Sequence, residues 1–183
     1  MSPTTHQTAA RQGVGSGRAP GVRALGVDLG SKRIGIAVSD MSGTIASPLT
    51  TVYRSKSKRH DHTEIARLVR DEEAVVVVVG LPLSLDGTHG PAAKAASTEA
   101  GRLASVVGVP VEMYDERFTT VTAERGMLEA GLNAPARRKV VDKVAAAVIL
   151  QAWLDHRSST WRSSTRADSA LSDLGRPDSS GTT

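Results

Sequence analysis

The sequence predicts an α/β fold: a mixed five-stranded sheet whose first three strands form a meander, with helices on both faces. Three observations predict it. Three apolar segments follow one another between Arg23 and Tyr53, separated only by turn-forming residues. Five consecutive valines, Val75 to Val79, end at Gly80. Such a run reads as a strand buried on both faces, and so parallel to its neighbours. Beyond it, helical and strand patterns alternate, as crossover connections require.

The first strand is expected over Arg23–Leu29 and the second over Ile34–Ser39, joined by a tight turn containing Gly30. Asp40-Met41-Ser42-Gly43 is a turn. Strand three covers Ile45–Tyr53, where Pro48 marks an edge or a bulge. A basic loop follows, with His60-Asp61-His62 on it. Asp61 with Glu64 three residues later resembles a capping box. Ile65, Leu68 and Val69 then mark one helical face to about Glu72. After the valine strand, Gly87 to Pro91 opens a helix that runs through Val107, with Pro91 in its first turn. A strand over Val109–Tyr114, a helix over Thr119–Ala130 stopped by Gly131, and a buried helix over Lys139–His156 complete the order. Residues 1–22 and 158–183 show no periodicity and are expected to be disordered arms around a single domain at 23–157.

Composition excludes several chemistries. The 183 residues contain no cysteine, which removes disulfides, thiolate zinc sites and cysteine nucleophiles. Aromatic residues make up 3%, too few for a platform that stacks several bases. No apolar stretch approaches the length of a membrane span and no signal peptide opens the chain, so a soluble cytoplasmic protein is expected. The net charge of +4 is modest, but it is clustered. Six cations face two acids between Arg54 and Arg70, and Arg137-Arg138-Lys139 precedes Asp142. Basic clusters beside carboxylates suit a polyanionic substrate, although solvated surface is an equally ordinary use of them.

Three acids stand in apolar surroundings. Asp28 ends the first strand, Asp115-Glu116 follows the last, and Asp142 sits in the long helix beside Val140 and Val141. A carboxylate placed this way loses hydration and needs a cation, a donor or a metal. Ligands in α/β sheets collect at the carboxyl ends of the strands. There, Asp28, Glu116 and Asp142 could converge on one or two Mg²⁺ or Mn²⁺ ions. Asp115 competes with Glu116 for the second position. The ordinary readings are a turn cap for Asp28, an ion pair with Arg117 or Arg125 for Glu116, and a helix-dipole acid for Asp142.

Four stretches in one order resemble a known family: Gly26-Val27-Asp28-Leu29-Gly30-Ser31-Lys32-Arg33-Ile34-Gly35, Val79-Gly80-Leu81-Pro82-Leu83 with Asp86-Gly87-Thr88, Asp115-Glu116-Arg117-Phe118-Thr119-Thr120-Val121, and Val141-Asp142-Lys143-Val144-Ala145-Ala146. The chain resembles the YqgF-type (RuvX-like) family of RNase H-like nucleases over Leu25–Leu154. Members of that family are described as pre-16S rRNA processing nucleases or as Holliday-junction-resolvase-like proteins. The resemblance implies an RNase H-like fold and a nuclease of ribosome biogenesis that hydrolyses phosphodiester bonds. It also implies catalytic and metal-binding acids at Asp28, Glu116 and Asp142, favouring Glu116 over Asp115. Lys32, Arg33, Arg117, Arg138 and Lys139 are the expected nucleic-acid contacts. The related RuvC-type resolvases carry a further acid on the last helix, where Ala145 stands here. Pre-rRNA is therefore the first expected substrate and branched DNA the second, acted on by a monomer or a homodimer.

Two readings of other classes compete. Asp28-Leu29-Gly30 also resembles the phosphate loop of the sugar-kinase and actin superfamily, but one core of this size is about half of what that fold needs. A non-catalytic module that binds RNA or a ribosome-assembly partner would have no use for three half-buried carboxylates.

Overall fold

Val76–Leu81 forms the central parallel strand that the valine run predicts. The structure, a computed structural model, describes residues 19–84, 87–118 and 134–174, with backbone alone at 118, 134–143 and 167–174. The elements are β1 (Ala24–Leu29), β2 (Arg33–Ser39), β3 (Ala46–Tyr53), α1 (Lys58–Asp71), β4 (Val76–Leu81), α2 (Pro91–Val107), β5 (Val111–Asp115), a 3₁₀ turn (Glu116–Phe118) and α3 (Ala134–Leu174). The helix expected over Thr119–Ala130 lies outside the described residues.

The sheet has five strands in the order β3-β2-β1-β4-β5. The β1–β2 and β2–β3 pairs are antiparallel, while β1–β4 and β4–β5 are parallel. This is the expected RNase H-like arrangement, a meander followed by parallel crossovers. Pro48 lies on the edge strand β3, beside a register shift at Ile36/Ala37, so both roles suggested for it are met.

Strand alternation divides the core between two faces. Leu25, Val27, Val77 and Val79 pack with Ile65, Val69 and Leu103 of α1 and α2. Ala24, Val76 and Val78 pack with Ala146, Leu150 and Trp153 of α3. The latter face is drawn in tightly at Gly26. A Cβ there would lie 2.8 Å from Leu150 Cβ and 2.9 Å from the Ala146 carbonyl oxygen. The carbonyl belongs to a helix backbone and cannot turn aside. Gly26→Ala should therefore cost about 3 kcal/mol, measured by urea unfolding; a loss below about 0.5 kcal/mol would show that α3 can slide.

Three local expectations are corrected. The α1 helix begins four residues earlier than the Asp61–Glu64 pattern indicates. Ser57 is its N-cap, and its hydroxyl accepts from the His60 backbone N–H at 3.4 Å. Asp61 and His62 are consequently helical and buried, not part of a surface loop. Lastly, α3 continues to Leu174, so residues 158–174 are helical instead of a disordered tail. Its Ser and Thr hydroxyls bond back to carbonyls of the preceding turn, as Thr160 does to His156 and Ser163 to Ser159. Such residues also favour non-helical conformations, which hides the helix from pattern reading.

Candidate active site

Asp28 is two residues beyond Gly26, so alternation puts it on the face covered by α3, at the carboxyl end of β1. In the antiparallel ladder it faces Gly35, which carries no side chain to cover it. In the parallel ladder Val27 pairs with Val79, which sets Asp28 beside Gly80. Glu116 starts the 3₁₀ turn directly after β5. Its carboxylate lies over the bare backbone of Gly80, so close that a Cβ at Gly80 would overlap Oε1. The two acids thus meet over a glycine at the exit of the sheet. Burial raises the Glu116 carboxyl above its ordinary value, and the nearby charges of Asp28 and Asp115 push the same way.

Asp115 and Glu116 differ in their partners. Asp115 is gripped by Arg117, whose backbone N–H donates to Oδ1 at 3.0 Å and whose Nη2 donates to Oδ2 at 2.6 Å. Glu116 is the acid next to Asp28. Arg117 therefore pairs with Asp115, and its guanidinium also lies against Gly87. Lys32 is exposed on the β1–β2 turn, and Arg33 is half-buried at the start of β2. Position 142 falls on α3 one turn before Ala146, which packs against Gly26. The side chains of Asp142, Arg138 and Lys139 lie outside the described residues.

Asp28 and Glu116 open into a cleft of about 520 Å³. Its opposite wall holds charges that sequence reasoning did not bring together. Glu99 of α2, with 6% of its side chain exposed, receives a bond from Arg54 Nη1. Lys58 Nζ donates to Glu99 Oε2 at 2.8 Å, and His62 Nε2 lies 3.3 Å from Oε1. Asp61 accepts from the Ser55 backbone N–H at 3.0 Å, and its Oδ2 is 3.8 Å from Arg54 Nη1. A signal for Glu99 existed. It interrupts the apolar stripe of Ala93, Ala96, Ala100 and Leu103 on α2.

The network has a consequence for acid stability. Burial by itself would raise the Glu99 carboxyl, but Arg54, Lys58 and His62 outweigh it and hold it at about 2. A folded-state value below the ordinary 4.5 means that the contribution is complete above that value and disappears as pH falls towards about 2. Urea unfolding at stepped pH should show stability falling across this interval, and Glu99→Gln should flatten the fall. An unchanged slope in the variant would contradict the assignment.

Two carboxylates lining one cleft, one of them raised by burial and by the other, supply hard oxygen donors. That donor set fits a divalent cation such as Mg²⁺ or Mn²⁺. The sequence profile of the family described as RuvX, Holliday junction resolvase, matches residues 22–156. The chain belongs to this family. The protein is accordingly a nuclease, a hydrolase of phosphodiester bonds in nucleic acid. A relative from Mycobacterium sp. (strain KMS) is 46% identical over 86% of this chain and 92% of its own length. One from Rhodococcus opacus (strain B4) is 49% identical over 74% of this chain and 79% of its own length. Both are provisionally named pre-16S rRNA nuclease. A solved structure of T. thermophilus RuvC in complex with Holliday junction substrate is 18% identical, with a TM-score of 0.49 over 74% of this chain and 96% of that one. Among the described residues no helix is long and apolar enough to cross a membrane.

Proposed function

We propose that this RuvX-family nuclease trims the 5′ end of pre-16S rRNA in a reaction that depends on Mg²⁺ or Mn²⁺. The observation that carries the reading is the pair Asp28 and Glu116 meeting over Gly80 at the mouth of the cleft. Asp142, one helical turn from the Gly26 contact, is the third acid of the set. These three would hold one or two divalent ions. Bound there, the metal would activate water for attack on the phosphodiester and stabilise the leaving oxygen.

The chain's own residues define the rest. Asp28 is presented by a strand that is paired on both edges, so its carboxylate position is rigid. Gly80 leaves room for Glu116 to reach it. Asp115 holds Arg117 at the rim, from where the guanidinium can meet a phosphate oxygen without wandering. Lys32 and Arg33 flank the Asp28 turn, and Arg138 and Lys139 precede Asp142 in the chain; all four are proposed phosphate contacts. Their binding should weaken with salt as counterions are released.

The names of the relatives favour ribosomal RNA. The family description keeps branched DNA as the second reading, and a symmetric junction would require two sites and hence a homodimer. The deciding experiment offers a pre-16S rRNA fragment and a synthetic four-way DNA junction side by side, with Mg²⁺ and with Mn²⁺. Metal-dependent cleavage of the RNA is expected. Symmetric nicking of the junction alone would replace this reading with the resolvase. Metal-independent RNA binding without cleavage of either would make the protein a binding module.

A further inference from the structure

The charged wall opposite the acids has no counterpart in the proposed chemistry. It contains two cations, Arg54 and Lys58, against two buried acids, Asp61 and Glu99. The balance leaves little net positive charge to draw a phosphate, so an anion site is a poor explanation. Buried ion pairs of this kind are also weak contributors to stability, because desolvation offsets their attraction. Their geometry is more telling.

Arg54 follows β3 and lies almost wholly inside, with 14% of its side chain exposed. Its Nε donates to the Gly30 carbonyl at 3.0 Å, and its backbone N–H donates to the Lys32 carbonyl at 3.1 Å. Gly30 in turn donates its N–H to the Asp28 carbonyl at 3.0 Å. The other end of the guanidinium is fixed by Glu99 of α2 and faces Asp61 of α1. One arginine therefore links the turn that follows Asp28 to both helices on the far face of the sheet. The fork shape matters, since a lysine could reach Gly30 or Glu99 but not both.

We propose that Arg54, oriented by Glu99, is a positioning residue that locks the β1–β2 turn and thereby sets the Asp28 carboxylate for metal binding. The inference rests on the nuclease reading of Asp28 and Glu116. Groups that orient metal ligands through a second layer of hydrogen bonds commonly alter metal affinity by about 10- to 100-fold.

The test uses the full chain with Arg54→Lys, Glu99→Gln and, as a control, Lys58→Met, which leaves the Arg54–Gly30 bond in place. Three quantities are read: the Mg²⁺ concentration for half-maximal cleavage, KM for the nucleic acid at saturating Mg²⁺, and the rise in Tm on adding Mg²⁺. Arg54→Lys and Glu99→Gln should each raise the half-saturating Mg²⁺ concentration about 10-fold and shrink the Tm rise, with KM within about twofold of the parent. Lys58→Met should leave the metal response unchanged. An unaltered metal response with a raised KM would make these residues substrate contacts and overturn the proposal. Failure of both Arg54→Lys and Glu99→Gln to fold would assign the network to stability and overturn it equally. If the parent protein cleaves nothing, the nuclease reading fails by itself, while the Mg²⁺-dependent Tm rise still reports on the turn.

Discussion

Replacing Asp28 by Asn is expected to reduce Mg²⁺-dependent cleavage by about 10³-fold or more, a loss of about 4 kcal/mol of transition-state stabilisation. The substitution keeps the shape of the side chain and removes its charge, so folding should survive. Its effect on stability separates a functional acid from a structural one. The Glu116 carboxyl is raised above its ordinary value by burial first and by Asp28 second. A group raised in this way favours the fold below its unfolded pKa and loses that contribution as pH climbs through the folded value. When ionised, the pair is therefore a strain on the metal-free protein, which a divalent cation bound there would relieve. Asp28→Asn should give a metal-free Tm equal to or above that of the parent and should abolish most of the rise caused by Mg²⁺. Retained cleavage would remove Asp28 from the catalytic set. A Tm several degrees lower would mean that Asp28 serves the turn and not a metal.

Gly80→Ala is expected to damage activity far more than stability. The added methyl would overlap Glu116 Oε1 and lie 2.7 Å from Ile149 Cδ1. Both neighbours are the far ends of flexible side chains, so the fold can yield at a cost of about 1 kcal/mol. What yields, however, is the carboxylate itself. Displacing a catalytic group by about 1 Å can cost about 100-fold in rate. Cleavage should accordingly fall about 100-fold, with the Mg²⁺-induced Tm rise reduced and the urea midpoint only slightly lowered. Activity within about threefold of the parent would show that Glu116 does not work from its place above Gly80. The contrast with Gly26→Ala is informative, because there the obstacle is a helix carbonyl and the loss falls on stability.

Much of the architecture was readable from local pattern. The valine run, the Pro48 irregularity and the Pro91 helix start each depend on a few neighbouring residues, and each appears where expected. The capping box at Asp61 failed because the true cap, Ser57, has His60 and not an acid three residues on, so the start of the helix carries no such spacing. The α3 extension was missed because Ser and Thr bonds to helix carbonyls produce no apolar period.

By itself the sequence determined which strands are buried, which acids stand among apolar residues, and the family to which those motifs belong. These properties are carried by composition and spacing along a few turns of chain. Tertiary structure decided how the two neighbouring acids are placed, because Arg117 reaches back to Asp115 while Gly80 leaves Glu116 the space beside Asp28. It alone joined Arg54, Asp61 and Glu99 into one network, since residues up to 45 positions apart meet only once two helices have packed on the same face of the sheet. A charge on a helical stripe reads the same in sequence whether it faces water or a guanidinium. What tells them apart is the desolvation that packing imposes and the partner that packing brings.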